Sequence, residues 1–167
     1  MLKIRPKFLI TVLTIAIAII GVNRYVCSLY RVSGTSMTPT MLDGDWCLVW
    51  KLGARHPQQG EIVFFRTANK PHLHFVKRIV AVPGQTISIE GGQMFVDGKP
   101  VDESYTKANV TWSLRPTRVP DDCYYFMGDH RAVPIENHLH GWVASRNIQG
   151  RVVAHWRLPL EFLRRKK

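Results

Sequence analysis

Ser36 and Lys77 are the two residues whose types and surroundings could together break a peptide bond. Ser36 lies in Gly34-Thr35-Ser36-Met37-Thr38-Pro39-Thr40-Met41, and Lys77 in Val76-Lys77-Arg78-Ile79-Val80-Ala81-Val82-Pro83-Gly84. A serine hydroxyl attacks a carbonyl only when a neighbouring base takes its proton. It also needs a rigid mount beside donors that can hold an oxyanion. Gly34 allows a close backbone approach or an unusual φ, and Pro39 stiffens the chain just after Ser36. A lysine is a base only when neutral, and its unperturbed pKa is about 10.4. Burial among apolar groups lowers that value, and Phe75, Val76, Ile79 and Val80 flank Lys77 with the surface such burial requires. Each residue also has an ordinary reading, because serines are common in turns and strand lysines are mostly solvated. His72 and His74 stand nearby as alternative bases.

Other segments supply context. Gly44-Asp45 and an alternating apolar stretch follow the serine. Pro57-x-x-Gly60-Glu61-Ile62-Val63 precedes the lysine, and Met127-Gly128-Asp129-His130-Arg131 and Gly141-Trp142-Val143 come late in the chain. Together these motifs resemble those of type I signal peptidases, membrane-anchored serine proteases that use a lysine as base. The resemblance covers most of Val32 to Arg151, although Lys99 to Asp122 carries little of it. It implies a mainly β, signal-peptidase-like catalytic domain of short mixed strands behind one N-terminal transmembrane helix. It implies Ser36 as nucleophile and Lys77 as general base. Gly34 stands where some members place a serine that helps hold the oxyanion, so the Ser36 N–H is expected to carry more of that task. Asp129 is expected to brace a loop and help position the site, and Arg78 to make a structural ion pair. The substrate is expected to bind as an extended strand near Met37, His74, Phe75 and Val76, with small side chains such as alanine in shallow apolar pockets. No metal or other cofactor is implied.

The match breaks between Arg131 and Gly141. Pro134 occupies the place of a family serine that orients the lysine, and proline offers no hydroxyl. Glu136, Asn137 and His138 replace an aspartate, a serine and an arginine. A different hydroxyl, a water, or a carboxylate such as Asp129 or Glu136 must take over that support. A carboxylate too close would raise the lysine pKa and oppose catalysis. The departures are reminiscent of short, specialised branches, such as conjugative-transfer peptidases that mature and cyclise a pilin precursor. The partner implied is therefore a precursor protein with an N-terminal signal or leader peptide, with pilin as the specialised case. The rival from another class is a non-catalytic relative that binds a secretion partner. A soluble Ser/Lys autoprotease is disfavoured by the apolar N-terminus.

These residues need elements to position them. Phe8 to Val22 is apolar apart from Thr11 and Thr14, follows Lys3, Arg5 and Lys7, and precedes Asn23 and Arg24. A span needs roughly 20 apolar residues, so snorkelling of Lys7 and Arg24 and the near-apolar Tyr25 to Tyr30 are read as extending it. The expected organisation is a cytoplasmic basic segment over 1–7, an anchor over 8–29 and an extracytoplasmic catalytic domain over 30–167, in a bacterial inner membrane. A cleaved signal peptide is the alternative, but no small-x-small site follows the apolar run. The net charge of +11 is spread along the chain and ends in Arg164-Arg165-Lys166-Lys167. On an anchored protein such a tail suits anionic lipid better than nucleic acid, for which no recognition motif appears.

Strand patterns fall at Asp45 to Lys51, Glu61 to Arg66, His72 to Val82, Thr86 to Glu90, Gln93 to Val96, Tyr124 to Met127 and Gly150 to Trp156. Asp97-Gly98 signals a hairpin. Lys99 to Asp122 reads as a surface excursion, Gly128 to His140 as a loop, and Pro159 to Arg164 as a short helical turn. Cys27, Cys47 and Cys123 show no zinc spacing, and whether Cys47 and Cys123 pair is left open.

Overall fold

A computed structural model of the chain describes residues 6–67 and 70–157. The apolar N-terminal run forms helix α1 (Pro6–Gly21), which continues as a π-helical turn over Val22–Val26. Together Lys7–Val26 make 20 residues, apolar enough to cross a membrane and with none buried against the rest of the protein. The helix ends earlier than the expected anchor. Cys27 is already extended and opens strand β1 (Cys27–Arg31), so Cys27 to Leu29 belong to the sheet. Tyr30 explains the change: it leaves the helix period to stack on Phe64 at 4.1 Å.

Ten further strands follow. They are β2 (Trp46–Trp50), β3 (Ile62–Thr67), β4 (Lys70–Ala81), β5 (Thr86–Glu90), β6 (Gln93–Val96), β7 (Lys99–Pro100), β8 (Leu114–Arg118), β9 (Cys123–Met127), β10 (Gly141–Ala144) and β11 (Ile148–Trp156). Seven form one sheet in the order β1-β2-β11-β3-β4-β9-β10, and four form a second in the order β7-β6-β5-β8. The strands were expected to be mixed in direction, but every described pairing is antiparallel. Tight turns such as Gly91-Gly92 and Asp97-Gly98 join neighbours directly, which only antiparallel strands allow.

Period-two alternation sorts the apolar residues among three cores. In β3, Val63 and Phe65 face a cluster with Ile79, Phe126 and Ile148, whereas Phe64 faces one with Met37, Met41 and Val49. In β4, Val80 turns the opposite way from Ile79, toward a third cluster with Ile87, Ile89, Met94 and Met127. The third cluster joins the two sheets, so the small sheet is packed on the large one. Cys47 and Cys123 pack against different clusters, and all three cysteines are free thiols.

Lys99 to Asp122 is not merely a surface excursion. It supplies β7 and β8, and its Val110 and Val119 are buried in the third cluster. Its polar text masked this because β8 buries no residue fully and earns its place through backbone pairing with β5. The Pro159 to Arg164 turn and the basic tail lie outside the described residues.

Candidate active site

Ser36 sits at the surface on a loop held from beneath. Thr38 N–H donates to the Thr35 carbonyl at 3.0 Å, and Met41 N–H donates to the Met37 carbonyl at 2.9 Å. That turn places Met37 and Met41 side by side in the core, at 1% and 0% exposure. Burying two large side chains in one short turn anchors a loop that would otherwise be free to fray. Met37, expected to contact substrate, therefore forms the floor beneath the cleft and offers it almost no surface.

Two glycines make the mount possible. Gly34 has φ +93° and donates its N–H to Asp43 Oδ1 at 2.7 Å, a backbone state that any side chain would strain. Gly128, at the end of β9, passes so close to Ser36 that an added Cβ would collide with the Ser36 carbonyl oxygen. The His130 N–H donates to that same carbonyl at 3.1 Å. The loop after β9 is thus clasped to the backbone of Ser36. Among the described residues no acceptor engages the Ser36 N–H, which leaves this donor available to an oxyanion.

Lys77 comes from β4, opposite Val63 of β3, and is 4% exposed. Its Nζ is hydrogen-bonded to Ser36 Oγ at 2.5 Å, and among the described residues it has no other hydrogen-bond partner. Burial pushes its pKa down to about 8, against a smaller upward pull from Asp129. An appreciable fraction of Lys77 is therefore neutral slightly above neutral pH. A neutral amine touching a hydroxyl is the arrangement that general-base activation needs.

Asp129 stays away from Lys77 because Arg78 and Thr40 hold it. Arg78 Nε donates to Oδ1 at 2.9 Å and Nη2 to Oδ2 at 2.6 Å, while Thr40 Oγ1 donates to Oδ2 at 2.6 Å. This bidentate pair has side-chain exposures of 11% and 0%. The same guanidinium donates to the Gly60 carbonyl at 2.7 Å and lies 3.9 Å over the Tyr105 ring. Asp129 thus links the serine loop, β4 and the loop after β9 through its hydrogen bonds. Tyr105 and Glu103 belong to the segment that seemed peripheral. Glu103 pairs with the buried Arg131 at 2.6 Å, so this segment supports the site from behind.

The region where the family pattern breaks is also clear. Pro134 and Glu136 are exposed, and Glu136 makes no described ion pair with the lysine. His138 is buried instead. It helps to wall a pocket of about 20 Å³ with Ser36, Lys77 and Gly128. Burial, and then the charges of Arg131, His140 and Lys77, hold its pKa down at about 4. It is neutral under working conditions and adds dryness around Lys77 rather than charge. The sequence marked it only as a departure from the family pattern, and its inward position appears only in the fold.

A cleft of about 570 Å³ runs over the pair, bounded by Tyr30 to Ser33 on one side and Leu73 to Val76 on the other. His74, Phe75 and Val76 lie along it. His74 is not a rival base: its ring stacks on Phe64 at 4.7 Å, and its Nε2 accepts from Arg66 at 2.8 Å. Both borders carry unpaired backbone. β1 is an edge strand, and β9 pairs with β4 only from Arg78 onward, which leaves the stretch before Lys77 open on that side.

The chain is similar in sequence to proteins of one family. The family described as signal peptidase, peptidase S26, matches residues 5–157. A probable signal peptidase I-2 of Synechocystis sp. is 33% identical over 157 residues, covering 89% of this chain and 72% of that one. Signal peptidase I V of Bacillus subtilis (strain 168) is 32% identical over 165 residues, covering 89% and 96% respectively. A signal peptidase I from Enterococcus faecalis V583, known from a crystal structure, aligns with 59% of this chain and 97% of its own at 21% identity and a TM-score of 0.48.

Proposed function

Because the chain belongs to the signal peptidase family, peptidase S26, we propose that it cuts signal peptides from exported precursors with Ser36 as nucleophile and Lys77 as general base. The enzyme is a membrane-anchored serine endopeptidase acting on precursor proteins that carry signal peptides. The observation that carries the residue roles is the contact between Lys77 Nζ and Ser36 Oγ, made by a lysine whose burial favours the neutral amine.

The precursor adds as an extended strand between the open border of β4 and the chain leading into Ser36, exchanging backbone hydrogen bonds with both. Its scissile carbonyl then lies over Ser36. Lys77 takes the hydroxyl proton as Oγ bonds to the carbonyl carbon, and the Ser36 N–H stabilises the oxyanion. The lysine returns the proton to the departing amine as the peptide bond breaks. Water hydrolyses the acyl-enzyme by the same route, which restores both groups. The cleft lies outside the cytoplasm if the basic residues before α1 stay inside, as their charge favours. In a bacterium that places it on the outer side of the inner membrane. Nothing in the relatives favours a pilin precursor over ordinary secretory ones, and the intact, touching pair weighs against a purely binding role.

Co-expression of a secretory precursor with the wild type, Ser36→Ala or Lys77→Ala, read by mass spectrometry of the product, tests this reading. Loss of the leader is expected only with the wild type. Full processing by either variant would overturn the assignment.

A further inference from the structure

Five cations converge beside the foot of the membrane helix without a carboxylate among them. Arg24, Lys51, Arg55, Arg66 and Arg146 line a cleft of about 440 Å³. No acidic residue lines it. The four ion pairs among the described residues use Arg78, Arg131, Arg151 and Arg157 instead. Like charges gathered in one concavity repel each other unless an anion joins them.

The position of the cleft says which anion. Lys51 Nζ donates to the carbonyls of Asn23 and Arg24 at 2.6 and 3.2 Å, so the cleft is tied to the last turn of the helix. Twenty residues at about 1.5 Å each span roughly 30 Å, the thickness of a bilayer's hydrocarbon core. With Lys7 at one face of that core, Arg24 and Lys51 stand at the level of the opposite headgroups.

We propose that this cleft binds the phosphate of an anionic phospholipid headgroup in the leaflet next to the catalytic domain. The proposal rests on the membrane-anchored reading and does not depend on the roles of Ser36 and Lys77. It moves the lipid contact from the C-terminal basic tail to a built concavity. It also has a catalytic consequence, because Tyr30 and His74 wall both this cleft and the substrate cleft. Arg66 donates to His74 Nε2 at 2.8 Å, so a phosphate held by Arg66 bears on the β4 border where substrate enters. Anionic lipid is therefore an activator that steadies this border.

Native mass spectrometry of the full chain in micelles, with phosphatidylglycerol or phosphatidylcholine added, tests the site directly. One phosphatidylglycerol should be retained with at least a several-fold preference over phosphatidylcholine, and Arg55→Gln/Arg146→Gln should abolish that preference. Equal retention of both lipids, or an undiminished preference in the double variant, overturns the proposal. Inorganic phosphate alone serves as a probe of the source: occupancy by phosphate as tight as by the lipid would mean a free-anion site and would also overturn it. In reconstituted vesicles, adding phosphatidylglycerol to phosphatidylcholine should speed processing several-fold for the wild type. The double variant should keep its rate in phosphatidylcholine and lose the acceleration. Acceleration that survives in the double variant argues against the site. Absence of processing in all vesicles, with lipid retention intact, counts against the peptidase reading alone.

Discussion

Lys77 and Arg78 are neighbours on one strand, both largely withdrawn from water, yet their settings are opposite. Arg78 is satisfied on every side by Asp129, the Gly60 carbonyl and the Tyr105 face. Lys77 has one hydroxyl and little else. Alternation along the strand sends the two side chains to different surroundings. The carboxylate that would keep a buried lysine charged is committed to the arginine next door, and burial is left free to favour the neutral amine. A guanidinium cannot take the other role, since it does not lose its proton in proteins. One strand can thus hold a lysine suited to act as base and an arginine brace one residue apart.

The sharpest way to break this comparison is to remove the titrating group. Lys77→Met should lose all processing activity and yet raise the melting temperature at pH 7. The sign follows from linkage: with a folded pKa of about 8 against an ordinary 10.5, the unfolded chain binds more protons between those values. The wild type therefore carries the full penalty of its buried amine below about pH 8 and sheds it as pH rises toward 10.5. The gain of the variant should shrink over that window, and thermal melts at pH 7 and pH 10 measure it. A variant less stable than wild type at pH 7 would mean that Lys77 is held charged by partners.

A second test exchanges the brace. Asp129→Asn leaves the Arg78 guanidinium without its carboxylate and should cost about 3 kcal/mol of stability, as for a buried pair that loses one partner. It also removes the one charge that raises the Lys77 pKa. The alkaline rise of kcat/KM should therefore move to lower pH in whatever fraction remains folded. Denaturant melts and a pH–rate profile separate the two effects, and a shift to higher pH would contradict the electrostatic account.

The smallest effect is expected at His138, which walls the pocket around Lys77 and Ser36. His138→Ala should admit water, weaken the desolvation of the amine and move the pH–rate profile up by less than about one unit. KM should be unchanged, because His138 does not line the substrate cleft. An unshifted profile would confine His138 to packing.

Much of this was legible in the chain because the signals are local. Alternating apolar residues marked β2 to β6 and β9, and the basic-flanked apolar run marked the helix. The short motifs around Ser36, Lys77 and Asp129 carry their chemistry in residues close together in the sequence. Other features depend on distant partners. Cys27 to Leu29 continue an apolar run and would extend a helix, but pairing with Leu48 to Trp50 makes them a strand. Leu114 to Arg118 has no hydrophobic period and becomes β8 because β5 presents an open edge. Glu103 and Tyr105 show no motif and His138 marks only a break in one, and each reaches the site because the small sheet and the loop after β9 fold back onto it.

Residue type, local spacing and hydropathy were enough to read the reaction class and the apolar helix, and to put forward Ser36 and Lys77 as the reacting pair. Long-range packing is what makes Lys77 dry and turns Asp129 toward Arg78. It also decided that Met37 lies beneath the cleft and that five cations gather at the helix foot. The physical reason is that desolvation and charge pairing depend on what is packed within a few ångströms, and those neighbours come from strands far apart in the chain.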